Sequence, residues 1–335
     1  MSILITGGAG YIGSHTAIQL IKDGYKVVIF DNFENSHHEV INRIEKITGI
    51  RPPHIAGDVR DQEIVKSILI KHDCDAVIHF AGLKAVGEST ENPLLYYEYN
   101  VNGTLKLLQV MKSVGVRKFI FSSSATVYGI PQSLPFTEQH PLYPMSPYGQ
   151  TKLMVEQILS SLFNSDPSWK ISILRYFNPV GAHESGLIGE DPKGIPNNLM
   201  PFITQVAAGK REYLNIWGND YPTPDGTGIR DYIHVEDLAA GHISALKQLK
   251  KPQCEFINLG TGSGSSVLEV ISNFERISNR KINYKIAERR PGDVAEYYAD
   301  PTYAAQLLDW KATKNLETIC KDTWNWISKN PNGYN

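Results

Sequence analysis

The sequence predicts an α/β protein with a doubly wound parallel sheet and a smaller C-terminal α/β lobe. Over residues 1–177, short β-branched runs alternate with helical stretches, a pattern typical of βαβ units. The first predicted strand also runs straight into a glycine-rich turn that opens a helix, which is the Rossmann arrangement. After Phe177 the alternation breaks into stretches rich in Gly, Pro and Asn, such as 186–198 and 219–228. We therefore place a domain boundary after residue 177.

The predicted elements of the first domain follow one another in a regular order. Six parallel strands are expected at residues 3–6, 26–30, 54–56, 76–80, 118–122 and 171–176. Five helices are expected between them, at residues 11–22, 38–48, 62–72, 93–114 and 147–163. Gly24, Gly49 and Gly115 suit helix C-termini, and Pro147 suits a first helical turn. Residues 230–246 are predicted to form a strand and a helix that return to this domain, and the rest of 178–335 forms the second lobe.

Composition excludes several classes of function. The 335 residues carry 33 Lys and Arg against 35 Asp and Glu, a net charge of −2, which disfavours nucleic-acid binding through phosphate contacts. Apolar runs such as 26–30 stay far below the roughly 18 residues of a membrane span. A strand directly after Met1 and Ser2 argues against a secretion signal. We therefore expect a cytoplasmic protein with no nucleic-acid or membrane partner.

The cysteines agree with this expectation. Cys74, Cys254 and Cys320 are widely separated, and none belongs to a CxxC pair. Neither a disulfide framework nor a zinc site is indicated, and we expect no metal. Metal hydrolysis and serine-nucleophile chemistry also lack their HExxH and GxSxG motifs.

The glycine-rich turn predicts a dinucleotide cofactor. It reads Gly7-Gly8-Ala9-Gly10-Tyr11-Ile12-Gly13, and glycines there permit a tight turn and close approach of backbone N–H groups to a pyrophosphate. Asp31 ends the second strand, 18 residues after Gly13, where a carboxylate accepts the ribose 2′-OH and repels a 2′-phosphate. This favours NAD over NADP. Asp58 follows the third strand similarly, and on position alone it is either an adenine contact or a solvated loop acid.

A tyrosine and a lysine are the candidate catalytic pair. Tyr148 and Lys152 stand four residues apart on a predicted helix, so their side chains share a face. A chain of this composition contains such a pair by chance, and a surface tyrosine beside a helix ion is the alternative. The pair nevertheless follows the serine run that ends in Ser124, at the strand end where open α/β sheets bind ligands. Tyrosine titrates near 10, so proton abstraction near neutral pH needs an adjacent positive charge such as the Lys152 ammonium.

Together these residues resemble the extended short-chain dehydrogenase/reductase family, and longer stretches resemble its UDP-sugar 4-epimerases. These stretches are 32–36 (NFENS), 79–89 (HFAGLKAVGES), 122–129 (SSSATVYG), 175–182 (RYFNPVGA), 194–201 (GIPNNLMP) and 226–235 (GTGIRDYIHV). The resemblance covers essentially the whole chain. Nucleotide-sugar dehydratases of the family carry an Asp-Glu pair where this chain has Val127 and Tyr128, which argues against dehydration.

The resemblance implies NAD-dependent interconversion of UDP-glucose and UDP-galactose, an isomerase activity of galactose metabolism. Tyr148, as phenolate, would take the proton of the sugar 4-OH while hydride leaves C4 for NAD. The 4-keto sugar would then turn over, and hydride would return to its other face. Because no net oxidation occurs, NAD would stay bound between turnovers. Ser124 would hydrogen-bond the same hydroxyl, and Lys152 would supply the charge beside Tyr148.

The resemblance also implies the binding residues. Cofactor contacts are expected from Gly7, Gly10, Tyr11, Ile12, Gly13, Asp31, Asn32, Asn35, Ser36, Asp58, Val59, Phe80, Ala81, Lys84, Asn100, Ser122, Tyr148, Lys152, Tyr176 and Phe177. Substrate contacts are expected from Ser124, Asn178, Asn198, Leu199, Asn215, Ile216, Trp217, Arg230, Tyr232, Arg290, Asp293 and Tyr297. Arg230 and Arg290 would clamp the pyrophosphate. Tyr99 departs from the family pattern, in which an Asn is common, and leaves one cofactor contact open.

Other functions remain open at this point. One is a related nucleotide-sugar oxidoreductase or an epimerase of N-acetylated sugars, which Tyr297 would disfavour by filling the wall near the sugar 2-substituent. Another is a redox-sensing regulator that has lost catalysis, although such proteins usually lack the tyrosine and lysine retained here. The predicted helix 93–114 is apolar on more than one face. With the helix 147–163, which the family uses for the same purpose, it suggests a homodimer.

Overall fold

The computed structural model describes residues 1–194, 196, 198–290 and 292–334. Ile195 and Asn197, inside the 194–201 stretch, lie outside the described residues, as do Pro291 and Asn335. The described strands are β1 (Ser2–Thr6), β2 (Lys26–Asp31), β3 (His54–Ala56), β4 (Cys74–His79), β5 (Lys118–Ser124), β6 (Lys170–Tyr176), β7 (Asn178–Val180), β8 (Leu214–Trp217), β9 (Ile229–Arg230), β10 (Tyr232–His234), β11 (Gln253–Leu259), β12 (Ser265–Ser266), β13 (Tyr284–Ala287) and β14 (Glu296–Tyr297).

The described α-helices lie mostly between these strands. They are α1 (Tyr11–Lys22), α2 (Glu39–Thr48), α3 (Gln62–Lys71), α4 (Val86–Glu91), α5 (Pro93–Tyr96), α6 (Gly103–Val114), α7 (Pro147–Ser165), α8 (Leu199–Ala207), α9 (Val235–Gln248), α10 (Val267–Ser278), α11 (Thr302–Leu308) and α12 (Leu316–Lys329). A 3₁₀ turn, Ala125–Val127, follows β5, and a π-helical turn, Tyr97–Asn102, joins α5 to α6. None of the described helices has the length and hydropathy required to cross a bilayer.

A seven-stranded parallel sheet forms the centre of the fold, in the order β11-β6-β5-β4-β1-β2-β3. This confirms the predicted fold class, and the six predicted strands are present with ends shifted by at most two residues. The expectation of six strands is wrong by one, because β11 pairs in parallel with β6 along its whole length. β11 is a sheet edge whose first half mixes polar and apolar residues and is only partly buried, so its sequence gives a weak strand signal. The chain reaches it through α9, which packs on α1.

The predicted single helix over 93–114 is also wrong in detail. It is divided into α5, the π-helical turn and α6. The widened turn carries Asn100, whose side chain holds Leu83 in the loop after β4. π turns of this kind are rare and frequent at functional sites, and hydrophobic periodicity does not reveal them.

Side-chain alternation places an apolar layer on each face of the sheet. Along β1, Ile3 and Ile5 belong to one fully buried cluster and Leu4 to another. The first layer includes residues of α1, α2 and α9, and the second includes residues of α3, α6 and α7. Because a parallel sheet has helices on both faces, its strands read as continuous apolar runs. The second lobe has its own core, formed by α8, α10 and α12 against β8.

A buried ion pair joins α7 to the sheet. The Glu156 carboxylate accepts from Arg175 Nη2 at 2.7 Å and from Arg175 Nε at 3.0 Å, and the two residues are 1% and 2% exposed. Ser123 Oγ donates to the same carboxylate at 2.5 Å. The pair therefore ties one helix to two adjacent strands, since Ser123 lies on β5 and Arg175 on β6.

Replacing Glu156 with Ala should lower the free energy of unfolding by about 3 to 5 kcal/mol, because it leaves a buried guanidinium without its carboxylate. Urea denaturation of the two proteins measures this loss. The control is Glu45→Ala, which breaks the half-exposed pair between Arg51 and Glu45 at 2.7 Å and should cost less than about 1 kcal/mol. Similar losses in both variants would contradict a structural role for the buried pair.

Candidate active site

The glycine-rich turn lies between β1 and α1 and opens toward the carboxyl edge of the sheet. Gly7 has φ +68°, and a Cβ there would lie 2.7 Å from the backbone N of Ala81. A Cβ at Gly13 would lie 2.3 Å from Gly7 O. No side chain caps α1, so its first backbone N–H groups face the turn. Only glycine fits this cradle, which suits the pyrophosphate of a dinucleotide.

The Asp31 carboxylate is held rigidly at the end of β2. It accepts from Ala9 N at 2.9 Å, from Phe33 N at 2.9 Å and from Ser36 Oγ at 2.8 Å. The carboxylate is therefore fixed beside the glycine-rich turn, as recognition of a ribose 2′-hydroxyl requires. Asn32 forms local hydrogen bonds with Glu34 at the surface of the same loop.

Asp58 is positioned next to β3, but its carboxylate is already engaged by a cation. Arg60 donates to it from Nε at 2.9 Å and from Nη2 at 2.7 Å, and these hydrogen bonds lower the pKa of Asp58. The same guanidinium lies 3.9 Å from the ring centroid of Tyr99, and it also donates to Glu98. The residue that departs from the family pattern is therefore a stacking partner of Arg60, next to Val59.

Asn100 has its hydrogen-bonding groups engaged within the protein. Its Oδ1 accepts from Leu83 N at 2.8 Å, and its Nδ2 donates to Leu83 O and to Thr151 Oγ1 at 3.0 and 3.1 Å. The structure thus places Asn100 as a clamp on the loop that carries Phe80, Ala81 and Lys84. Its predicted cofactor contact remains a prediction.

The predicted catalytic residues converge at the ends of β5 and α7. Lys152 Nζ donates to Ser122 O at 2.7 Å and lies 5.8 Å from the ring centroid of Tyr148. Burial lowers the pKa of Lys152 to about 8, so its ammonium persists at neutral pH. Burial raises the pKa of Tyr148 to about 12, while the neighbouring Ser124 hydroxyl acts in the lowering direction. Without a further positive charge, Tyr148 is therefore a protonated phenol at neutral pH.

The chain forms this arrangement because α7 begins at a defined residue. Ser146 Oγ accepts from Gly149 N at 3.2 Å, and Pro147 occupies the first turn, where its missing N–H costs nothing. Tyr148 is therefore in the first turn and Lys152 one turn later on the same face. Both face the end of β5.

A buried histidine that sequence reasoning missed contacts two of the predicted cofactor residues, Tyr176 and Phe80. Tyr176 hydrogen-bonds His242 Nε2, and His242 Nδ1 bonds Leu238 O at 2.8 Å. The carbonyl accepts, so Nδ1 carries the proton and Nε2 accepts from the Tyr176 hydroxyl. Burial lowers the pKa of His242 to about 4, which keeps it neutral. Phe80 packs against the same imidazole, with ring centroids 4.8 Å apart. No motif in α9 signals this contact.

A cavity of about 500 Å³ opens in the second lobe. Ten of the twelve predicted substrate residues line it: Asn178, Asn198, Leu199, Asn215, Ile216, Trp217, Arg230, Tyr232, Arg290 and Asp293. They come from five separate stretches of the chain. The lining also contains Pro179, Val180 and Gly228, which belong to quoted motifs but were not predicted as contacts. Six further lining residues lie outside the quoted motifs, namely Phe202, Arg211, Glu212, Tyr213, Leu214 and Val267.

Three arginines, Arg211, Arg230 and Arg290, line this cavity together with the acidic residues Glu212 and Asp293. Arg230 donates to the Asp293 carboxylate, and Arg290 lies over Trp217 with its guanidinium carbon 4.6 Å from the ring centroid. Guanidinium groups bind phosphate oxygens through paired donors, and the Trp217 ring provides a flat apolar surface beside them. The cavity can therefore hold a diphosphate joined to a planar base.

Ser124 and Tyr297 do not line the cavity, although Tyr297 on β14 pairs with the cavity residue Arg230 on β9. Tyr297 donates its hydroxyl to Ala125 O, in the turn after Ser124. Its ring packs against Phe136 and Phe177, with centroids 4.5 and 5.8 Å apart. Phe177 is itself a predicted cofactor residue. The Tyr297 ring is thus held in one position between the two predicted binding regions.

Comparison with known proteins gives the family. A family model for GDP-mannose 4,6-dehydratase matches residues 4–323. A Bacillus subtilis (strain 168) protein named UDP-glucose 4-epimerase is 55% identical over 335 residues, which is 100% of this chain and 99% of that protein. A Yersinia pestis protein of the same name is 57% identical over 336 residues, with 100% and 99% covered. The chain belongs to the UDP-glucose 4-epimerase family.

A solved structure of this family agrees with the fold throughout. The UDP-glucose 4-epimerase from Bifidobacterium longum, in complex with NAD+ and UDP, has a TM-score of 0.96 to this chain at 51% identity. The match covers 99% of this chain and 100% of that one. It includes both the sheet domain and the lobe that contains the cavity.

One cluster in the described residues has the composition of a metal site. His234, Glu236 and Asp322 bring ligand atoms within 4.8 Å of one another. However, Lys314 Nζ already lies 2.8 Å from the Glu236 carboxylate, and His234 Nδ1 accepts from Glu236 N. The Lys314 ammonium and the start of α9 therefore already use these groups.

Lys152→Met should move the acid limb of the kcat pH profile upward by about one to three pH units. The reason is that the substitution removes the ammonium 5.8 Å from the Tyr148 ring centroid. A positive charge within about 4 to 6 Å of an acid lowers its pKa by about one to three units. At pH 7 the rate should fall at least about tenfold. The matched control is Lys66→Met on the exposed face of α3, which should leave the profile unchanged. An unshifted profile in Lys152→Met would show that the ammonium does not tune Tyr148.

Proposed function

We propose that this chain interconverts UDP-glucose and UDP-galactose by epimerisation at C4 through a 4-keto intermediate, with a resident NAD. The contacts of three predicted catalytic residues, Tyr148, Lys152 and Ser124, support the proposal. Lys152 Nζ donates to Ser122 O near the Tyr148 ring, and Ala125, next to Ser124, accepts from Tyr297, which pairs with the cavity residue Arg230. A dinucleotide in the cradle and a diphosphate in the cavity would meet at these three residues.

The residues divide the proton chemistry among themselves. Tyr148 Oη takes the proton of the sugar 4-hydroxyl and later returns one, because a phenol beside an ammonium can act in both directions. Ser124 Oγ holds the same hydroxyl in line with Tyr148. Lys152 lowers the cost of the phenolate, and the positive nicotinamide ring of bound NAD would lower it further. When bound, NAD supplies reversible hydride acceptance at C4.

The outcome is isomerisation rather than dehydration because of the two residues that follow Thr126. Dehydration needs an acid and a base at the sugar beyond the hydride step, and the family's dehydratases place Asp and Glu there. Val127 and Tyr128 are fully buried in this chain, and the Tyr128 hydroxyl donates to Asn258 Oδ1 at 2.6 Å. Neither side chain can transfer a proton to the sugar. The retained Tyr148 and Lys152 also argue against a regulator without catalysis.

The hexose could rotate in the site because only the nucleotide part of the substrate would be anchored. Arg230, Arg290 and the Trp217 surface lie in the second lobe, away from Tyr148 and Ser124. Anchoring the diphosphate there leaves the hexose attached by one flexible linkage. A keto-sugar held in this way can present either face to the hydride donor, which an epimerase requires.

The purified protein should convert UDP-galactose into UDP-glucose without added cofactor. Denaturing it should release NAD rather than NADP, because the fixed Asp31 carboxylate repels a 2′-phosphate. Tyr148→Phe should retain the fold and the nucleotide but lose about 10²-fold or more in kcat, since only the proton-transferring hydroxyl is removed. Released NADP, or near wild-type turnover in Tyr148→Phe, would count against the proposal.

Tyr297 should set the preference between plain and N-acetylated sugars. The Phe136 and Phe177 rings hold it in place, and forcing an acetamido group against a filled wall costs about 1 to 3 kcal/mol, or roughly ten- to a hundredfold in kcat/KM. Tyr297→Cys should therefore raise the kcat/KM ratio of UDP-N-acetylglucosamine to UDP-glucose by that factor. Tyr297→Phe keeps the ring, loses the bond to Ala125 and is the control. An unchanged ratio in Tyr297→Cys would refute the gate.

A homodimer is proposed from the surface of α5 and α6. Leu94, Leu95 and Leu105 are 81%, 40% and 36% exposed, whereas Tyr96, Leu107, Leu108 and Val110 on the same segment are buried within the chain. The segment 93–114 is therefore apolar on two faces. One face packs in the core, and the other, next to α7, has no partner among the described residues. These exposed leucines favour association with a second copy.

Light scattering at micromolar concentration should give the mass of two chains. Leu94→Glu combined with Leu105→Glu should shift the protein toward one chain, since the charges oppose burial of the face. Ile70→Glu is the control, because Ile70 is 62% exposed on α3, away from this face. A wild-type monomer, or an equal effect of Ile70→Glu, would refute the dimer.

A cytoplasmic location is proposed from the thiols. Cys74, Cys254 and Cys320 are free, and burial raises the pKa of each, to about 11 for Cys74 and Cys254. Protonated thiols without disulfide partners suit a reducing compartment. Cell fractionation tests this location.

A further inference from the structure

The connection between β7 and α8 reaches across from the second lobe to the sheet domain. Lys193 donates from its backbone N to Asn35 Oδ1 at 3.1 Å and from Nζ to Phe33 O at 2.8 Å, both in the loop after β2. Arg43 on α2 donates to Leu187 O at 3.0 Å. Residues 187–193 therefore form a segment that crosses from the second lobe to the sheet domain, next to the predicted cofactor contact Asn35.

Glu190 lies in this crossing segment and joins the two binding regions. Its Oε1 lies 3.2 Å from Lys84 Nζ and 3.1 Å from Asn198 Nδ2, and its side chain is 10% exposed. Lys84 belongs to the predicted cofactor residues, and Asn198 lines the cavity of the second lobe. One nearly buried carboxylate oxygen thus contacts both sets.

The negative charge of Glu190 has to be offset when a diphosphate binds in the cavity. A UDP-sugar brings a diphosphate into the cavity, and an unpaired buried carboxylate nearby would repel it. Lys84 offsets the charge of Glu190. Asn198 donates one amide hydrogen to Glu190, and no described residue donates to its Oδ1, which could accept from a substrate hydroxyl. The Lys84 loop is in turn held by Asn100 through two hydrogen bonds to Leu83, so Glu190 contacts a loop that is itself fixed to the sheet domain.

We propose that Glu190 is a positioning residue that couples occupancy of the nucleotide-sugar cavity to retention of the dinucleotide. The inference rests on the proposed function. A nucleoside diphosphate bound beside Asn198 keeps Glu190 on Lys84, and this holds the loop that covers the cofactor site. By reciprocity, bound dinucleotide strengthens nucleoside diphosphate binding by the same factor.

The test measures NAD release from the holoprotein, with an enzyme that consumes free NAD, in the absence and presence of saturating UDP. In the wild type, UDP should slow release about fivefold or more. In Glu190→Ala the ratio of the NAD release rate without UDP to the rate with UDP should fall below about twofold. Glu190→Gln should be intermediate, because its amide oxygen still accepts from Asn198 while the charge on Lys84 is unpaired. Calorimetry of UDP binding gives the reciprocal measurement.

Asp23→Asn is the matched control. It breaks the exposed pair between Lys247 and Asp23 at 3.0 Å, which includes no residue of the crossing segment, and should keep the wild-type ratio. A second arm combines Lys84→Met with Glu190→Ala, and the pair should lose no more coupling than either change alone. Because Tyr148 and Lys152 are untouched, Glu190→Ala should raise KM for UDP-galactose more than it lowers kcat and leave the pH profile in place.

The outcomes separate this inference from the proposed function. If both proteins bind NAD and UDP, and UDP slows NAD release by the same factor in the wild type and in Glu190→Ala, the role of Glu190 is refuted and the proposed function stands. A wild type in which UDP does not change NAD release also refutes the coupling. If the wild type binds neither nucleotide, the proposed function fails and this inference fails with it. Unfolding curves for each variant show whether lost coupling reflects lost structure.

Discussion

The geometry of the candidate active site depends on the buried ion pair between Glu156 and Arg175. Glu156 lies one turn beyond Lys152 on α7, Arg175 precedes Tyr176 on β6, and Ser123 on β5 donates to the same carboxylate. The pair thereby fixes the helix that carries Tyr148 against both strands that carry its neighbours. Buried ion pairs gain little net stability over apolar packing, and their attested use is to specify one arrangement. Here that arrangement is the register of a helix against a sheet.

Burial then sets the protonation states within this frame. It moves the pKa of Lys152 down and that of Tyr148 up, because in each case it disfavours the charged form. The protein alone therefore holds an ammonium beside a neutral phenol. A cationic nicotinamide ring would shift the balance toward the phenolate only while the cofactor is oxidised. The base would thus be strongest when the sugar hydroxyl must lose its proton and weakest when the ketone must regain one.

The two lobes contribute different physical features to one site. The sheet domain offers backbone N–H groups at a glycine turn and a fixed carboxylate, whereas the lobe offers guanidinium groups and an aromatic surface. The segment around Glu190 connects them, and Tyr297 closes the space between them. Because the polar groups that face the cleft come from separate loops, their spacing is controlled by packing of the lobes and not by any local motif.

The sequence by itself determined the fold class, the glycine turn and the pairing of Tyr148 with Lys152. These are local properties: strand and helix periods, positive φ at Gly7 and the spacing of one helical turn all operate over a few residues. Family resemblance then extended the reasoning to a substrate pocket, and the structure collects ten of those twelve residues around one cavity. The sequence did not reveal the seventh strand, because β11 is an edge strand in which polar and apolar residues are mixed.

Only the tertiary structure decided the rest. That His242 supports Tyr176, that Asn100 clamps Leu83 and that Glu190 joins Lys84 to Asn198 are contacts between residues 8 to 106 positions apart. Such contacts leave no periodic signal, because a single polar residue reads as surface until its partner is known. The pKa shifts of Tyr148 and Lys152 arise likewise from burial by neighbouring elements. Sequence patterns specify which elements form, and the packing of those elements decides which polar groups lose water and which partners compensate them.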